Sequence, residues 1–206
     1  CSAYPRLSGD GSMLSWVTWS DGQRVSWVAP RVDPLGRELC RGCSVVDFCD
    51  NGRDVLVTRD RFLYRHSLAD GDERLVLEPE GQVLLDTDLS PDDRWLAVQM
   101  GQPDGTVTIS VVPFDRPNAE PDSWIEIAAG PRWSGAPRWS ADGSLLYFLS
   151  ERDDFICVWG QRLDPDSKIP IGEPFAVVHA HTSSLQNLSM ARFMWTLEVG
   201  GERLVI

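Results

Sequence analysis

The stretch Arg138-Trp-Ser-Ala-Asp-Gly-Ser-Leu-Leu-Tyr-Phe148 decides the fold of this chain. An apolar strand ends at Trp139, Asp142-Gly143 offers the positive-φ tolerance and local side-chain hydrogen bonds of a tight turn, and a second apolar strand begins two residues later. The same arrangement occurs as Arg6-Leu-Ser-Gly-Asp-Gly-Ser-Met-Leu-Ser-Trp16, Asp47-Phe-Cys-Asp-Asn-Gly-Arg-Asp-Val-Leu-Val57 and Asp88-Leu-Ser-Pro-Asp-Asp-Arg-Trp-Leu-Ala-Val98. Aligned on the turn residue, the copies fall at Asp10, Asn51, Asp92 and Asp142, separated by 41, 41 and 50 residues. A weaker copy lies at Gly200-Gly-Glu-Arg-Leu-Val-Ile206.

Each copy predicts a hairpin, and two further strands follow within each repeat. The third is read at Arg24–Ala29, Phe62–His66, Thr106–Val112 and Phe155–Leu163, and a fourth at Glu73–Leu77, Ser123–Ile127 and Glu173–Val178. Four antiparallel strands every 40 to 50 residues, with no convincing amphipathic helix, predict β-propeller blades. A sandwich would give similar strand spacing without repeating one turn motif per four strands. Ser183–Arg192 is read as an irregular loop leading to a strand at Phe193–Leu197. The fold class expected is all-β: four four-stranded blades plus the start of a fifth, with turn motifs at 8–11, 49–52, 90–93, 140–143 and weakly 199–201. A ring that starts abruptly at Cys1 and stops inside a strand at Ile206 is expected to be incomplete at both ends, part of a six- to eight-bladed propeller.

Composition narrows the function. The 206 residues carry 31 Asp+Glu against 19 Lys+Arg, a net charge of −12, and Lys168 is the only lysine, so the clustered cations that grip nucleic-acid phosphates are missing. No apolar run approaches the roughly 20 residues of a membrane helix. No basic region followed by an apolar stretch opens the chain. The compartment is not indicated. Five cysteines, Cys1, Cys40, Cys43, Cys49 and Cys157, are an odd number in a chain too long to need a disulfide framework. Cys40 and Cys43 form a lone C-x-x-C without the second pair of a zinc ribbon or the βαβ setting of a thioredoxin-like site, and read as a turn between strands.

The pattern apolar-Ser-x-Asp-Gly-x-x-(apolar)3, clearest at Leu89–Val98 and Pro137–Phe148, resembles the TolB-like, WD-like propeller repeat of bacterial proteins. The Gly-His and Trp-Asp dipeptides of WD repeats and the Ser-x-Asp-x-Gly-x-x-Trp box of sialidases are absent. Trp124–Gly130, Phe148–Asp153 and Gln161–Pro165 through Gly172–Val177 look like the C-terminal propellers of acidobacterial-type proteins, joined to serine/threonine kinase or winged-helix domains. The resemblance implies a non-catalytic sensor or interaction module, with an effector domain N-terminal to it in the parent protein. Cys49 and Asn51 replace serine and aspartate in the second copy, and Gly200 replaces aspartate in the last.

Candidate chemistry is sparse. His179-Ala-His181 sits at strand period and could be half of a metal site, but no third ligand is evident nearby, so no metal and no cofactor are assigned. His66 is isolated and read as packing or capping. Asp86, Asp88, Asp92, Asp93, Asp164 and Asp166 lack the glycine and final glutamate of an EF-hand loop and read as turn caps. There is no Gly-x-Ser-x-Gly elbow and no kinase signature. Trp16, Trp27, Trp95, Trp139 and Trp159 fall on predicted strands and read as packing between blades. Trp124 and Trp133, flanking the turn-rich 128–135 stretch with Arg132, are the candidate recognition residues together with His179 and His181. The expected partner is a protein, a peptide or a small ligand. The alternative is a hydrolase or lyase propeller with a central-channel active site, which would need His179 or His181 to converge with two carboxylates.

Overall fold

The computed structural model describes residues 3–33, 35–115, 123–179, 198–200 and 203–205. It forms two compact units, Cys1–Pro79 and Glu80–Ile206.

In the first unit, β1 (Ala3–Leu7), β2 (Met13–Ser20), β3 (Gln23–Pro30) and β4 (Arg37–Arg41) make one antiparallel sheet in sequence order. β5 (Ser44–Cys49), β6 (Asp54–Arg59), β7 (Phe62–Ser67) and β8 (Glu73–Leu77) make the next. β2 and β3 pair without interruption from Met13↔Pro30 to Ser20↔Gln23, and the cross-strand pair Trp16↔Trp27 stacks with ring centroids 6.3 Å apart. Val28 of the first sheet packs with Val45, Phe48, Val55 and Val57 of the second, so alternation along the strands turns one apolar face of each sheet inward. Arg37–Arg41 is a strand the sequence reading did not include, and the C-x-x-C segment turns the chain from β4 into β5, as read. Cys40 is on β4, Gly42 turns the chain at φ 71°, and Cys40 and Cys43 form a disulfide across that turn. His66 faces Glu73 across β7 and β8, and Glu73 also takes both terminal nitrogens of Arg59 at 2.9 Å.

In the second unit, β9 (Val83–Leu89), β10 (Trp95–Gly101), β11 (Val107–Pro113) and β12 (Ile125–Ala128) form one sheet. β13 (Ser134–Trp139), β14 (Leu145–Ser150), β15 (Cys157–Leu163) and β16 (Pro170–Val178) form another, and β17 (Glu198–Gly200) pairs with β18 (Arg203–Val205). The predicted strand at Phe193–Leu197 and the loop at Ser183–Arg192 lie outside the described residues. Ala97, Ile109, Val111, Ile127 and Ala128 from one sheet and Trp139, Leu146, Phe148 and Leu163 from the other form a shared core. Trp95 and Trp159 close its margins, the role expected of strand tryptophans. Polar links reinforce it: Trp139 N–H donates to Asp88 Oδ2 at 2.8 Å, Arg138 Nη1 to Asp86 Oδ2 at 3.0 Å, and Ala136 N–H to Gln99 Oε1 at 3.0 Å.

Four of the sheets among the described residues are antiparallel and four-stranded, and each of these runs in strict chain order. The fold is an all-β propeller fold, in agreement with the repeat. A feature the repeat did not show is a register irregularity in the first strand pair of each four-stranded sheet, at Ala3/Arg6, Val45/Asp47, Gln99/Met100 and Gly135/Arg138. An extra residue there sharpens the local twist of the strand.

Candidate functional site

The repeated turn is the best-defined polar constellation. In three copies a serine hydroxyl donates to the aspartate two residues on: Ser8 to Asp10 at 2.6 Å, Ser90 to Asp92 at 2.5 Å and Ser140 to Asp142 at 2.6 Å. The same hydroxyl oxygen accepts the N–H five residues on, from Met13, Trp95 and Leu145, each at 2.9 Å. The residue after the aspartate carries positive φ: Gly11 at 67°, Asp93 at 54° and Gly143 at 67°. The Ser8 hydroxyl, then the Ser12 amide, lowers the Asp10 carboxyl from 3.8 to about 2, and Ser140 and Ser144 do the same to Asp142. Asp92 is also lowered, the Ser90 hydroxyl and Arg94 amide outweighing its burial. These carboxylates are engaged in closing turns. Cys49 cannot supply the hydroxyl in the second copy, and that turn is instead a short 3-10 segment, Asp50–Gly52, with Asn51 at φ 52°.

Lys168 joins the turn of the fourth sheet. It is buried, donates from Nζ to the Gly143 carbonyl at 3.0 Å and lies 5.6 Å from the Trp139 ring centroid. Asp164 accepts from the amides of Asp166 and Ser167 in the β15–β16 loop, so it caps that turn.

A second constellation gathers at the opposite end of the fourth sheet. Pairing of Ser134 with Ser150, and of Ser150 with Cys157, brings the start of β13, the β14–β15 loop and the start of β15 to one edge, and Val158↔Val178 adds the end of β16. Arg132 forms an ion pair with Asp154. Trp133 is half-buried against Leu149, Ile156 and Val158, and its carbonyl accepts the Glu151 N–H at 3.0 Å, tying the loop down. His179 Nδ1 lies 3.2 Å from Asp153 Oδ2 and 3.9 Å from Cys157 Sγ, and that sulfur lies 3.8 Å from the same carboxylate oxygen. The His179 ring meets the Trp159 ring edge to face at 5.9 Å, and the Arg152 guanidinium covers Trp159 at 5.0 Å.

Arg132 and Trp133, before β13, and His179, after β16, therefore lie at one end of the fourth sheet. Trp124 does not join them. Val111↔Ile125 and Trp95↔Pro113 place it at the end of its own sheet that carries the Ser90–Arg94 turn, with β12 separating it from the 129–133 link. Its indole nitrogen is buried, and the residue as a whole is half-buried. His181 lies outside the described residues.

No third donor beside His179 and His181 is evident in the sequence; the structure brings Asp153 and Cys157 to His179. The sequence signal that could have found them is the β15–β16 hairpin, but its register is irregular. Uninterrupted pairing from Leu163↔Pro170 would set Cys157 opposite Ala176, and two irregularities move the pairing to Val158↔Val178, which places Cys157 beside His179.

No protein-family model matches this sequence, and no curated protein matches it. Solved structures do. A protein assigned as TolB from Agrobacterium tumefaciens is 18% identical with a TM-score of 0.65, covering 82% of this chain and 62% of its own. TolB from Acinetobacter baumannii is 14% identical with a TM-score of 0.63, covering 82% of this chain and 44% of its own. An oligogalacturonate lyase solved with manganese is 16% identical with a TM-score of 0.63, covering 81% and 50%. This chain spans from under half to just over three-fifths of their lengths. Four-stranded sheets in chain order, one Ser-x-Asp turn motif and these likenesses together make the fold that of a TolB-like β-propeller.

Proposed function

We propose that the chain is a non-catalytic interaction module of a larger bacterial propeller protein, recognising a protein, peptide or small ligand at the edge that carries Arg132, Trp133 and His179. The observation that carries this reading is the composition of that edge. A half-buried tryptophan, held by the loop it ties down, lies at the same end of the fourth sheet as exposed charged and polar groups: the Arg132, Asp154 and His179 side chains are 55%, 68% and 53% exposed. An aromatic anchor in a polar rim is the usual anatomy of a recognition site. The repeated serines and aspartates, which look like chemistry in the sequence, are occupied in turns.

The competing enzyme reading rests on the lyase among the similar structures and asked for an imidazole between two carboxylates. Among the described residues, the donors that converge on His179 are one carboxylate and one thiol. Both approach Nδ1, whereas a nucleophile–base–orienter relay needs the thiol at one ring nitrogen and the carboxylate at the other.

The test is a capture experiment on the purified chain with extract of a bacterium that encodes it, comparing wild type with Arg132→Glu and with Trp133→Ala. Loss of a captured partner in both variants, with unchanged far-ultraviolet circular dichroism, supports the reading. Turnover of ester, peptide or oligogalacturonate substrates that disappears in His179→Gln would overturn it.

A further inference from the structure

Independently of that reading, we propose that Asp153, Cys157 and His179 form a three-ligand site for a zinc-type divalent cation, with a fourth position open to solvent. All three ligand atoms lie within 4.8 Å of one another. The argument is first geometric. Bond lengths of about 2.3 Å for Zn–S and about 2.0–2.1 Å for Zn–N and Zn–O, at tetrahedral angles, require ligand separations of about 3.6 Å for S···N, about 3.5 Å for S···O and about 3.3 Å for N···O. The separations here are 3.9, 3.8 and 3.2 Å. A sub-ångström closure of the sulfur toward the other two donors completes one face of a tetrahedron.

The second argument is directional. Sulfur and carboxylate oxygen both face Nδ1, so the three donors converge on one point instead of forming a chain through the ring. A cation at that point would take one donor atom from each of the three side chains. On binding, the thiol gives up its proton to solvent, the carboxylate binds through Oδ2, and the imidazole binds through its Nδ1 lone pair with its proton on Nε2.

The third argument is support. Cys157 is buried at the start of β15, Asp153 is three-quarters buried in the β14–β15 loop, and His179 is held edge-on by Trp159 beneath Arg152. The half-exposed His179 leaves one side open, the pattern of a site that keeps a water or an exogenous ligand. Thiolate with imidazole favours zinc, cobalt or copper over magnesium, calcium or manganese.

The test is titration of the purified chain with Co²⁺, without thiol reductant so that the Cys40–Cys43 disulfide stays closed. One equivalent is expected to produce the near-ultraviolet thiolate-to-cobalt charge-transfer band and tetrahedral visible bands, and Zn²⁺ is expected to displace it. Cys157→Ser should abolish the charge-transfer band and weaken Zn²⁺ binding, measured against a competing chromophoric chelator, by about 100-fold or more. His179→Gln, at an exposed position that leaves folding intact, should weaken it by at least about tenfold. Absence of a stoichiometric band in the wild type, persistence of the band in Cys157→Ser, or unchanged Zn²⁺ affinity in His179→Gln would each overturn the proposal.

Discussion

Replacing Asp142 with alanine tests whether the repeated turn is a structural device. Asp142 Oδ1 accepts from the Ser140 hydroxyl at 2.6 Å, the Ser144 amide at 3.0 Å and the Ser144 hydroxyl at 2.8 Å. The two Ser144 donors are exposed and will turn to water. The Ser140 hydroxyl is buried, so losing its acceptor costs more, and it must still accept from Leu145 N–H at 2.9 Å. One neutral-to-charged hydrogen bond lost and two exchanged for water amount to about 1–2 kcal/mol near pH 7. The carboxyl is lowered from 3.8 to about 2, so its contribution is complete above the unfolded value and is lost as the pH falls through about 2. That interval corresponds to at most about 2.4 kcal/mol, and solvent screening of this exposed group reduces it to about 1 kcal/mol. Urea unfolding followed by fluorescence of the nine tryptophans, for wild type and Asp142→Ala near pH 7 and near pH 2, measures both quantities. The stability gap should shrink by about 1 kcal/mol at the lower pH, and Asp142→Asn should fall between the two proteins near pH 7. An alanine variant within about 0.3 kcal/mol of wild type near pH 7, or a gap independent of pH, would refute the turn argument.

Other outcomes follow from the same physics. Far-ultraviolet circular dichroism should be β-rich, and helix above roughly a third of the signal would contradict the fold. Lys168→Met should lower stability by about 1–2 kcal/mol in the same urea assay, because the Gly143 carbonyl loses a charged donor and Trp139 its cation, and no loss would show that the buried ammonium is energetically idle. Phe148→Ala should cost about 3–5 kcal/mol, since its side chain is fully buried in the core shared by two sheets; a cost under about 1 kcal/mol would mean that core is loosely packed. Mass spectrometry after alkylation of the unfolded, unreduced chain should leave Cys40 and Cys43 unmodified, and their labelling would contradict the disulfide.

Much of the architecture is legible in the sequence because its signals are local. Asp142-Gly143 and Ser140 specify a turn through bonds spanning no more than five residues, and the same residue types recur at Asp10 and Asp92, so the spacing of the copies by itself counts the sheets. A short apolar run then places β6, β10 and β14 directly after the second, third and fourth turns. The second copy marks the limit of that reading: Cys49 and Asn51 keep the hairpin but change its hydrogen bonding.

What the tertiary structure alone decides depends on register and on which sheet ends meet. Arg37–Arg41 has no turn motif and little apolar alternation, and is a strand because β3 offers it an edge. Trp124 and Trp133 are nine positions apart in sequence, yet one strand carries them to opposite ends of their sheets. Asp153, Cys157 and His179 come together only because irregular pairing shifts β16 along β15, and pairing offsets of this kind are set by packing on both faces of a sheet rather than by the residues at the pair itself. Turns and strands are short-range consequences of residue type. A site assembled from a loop, a strand start and a strand end is a long-range consequence of how sheets pair.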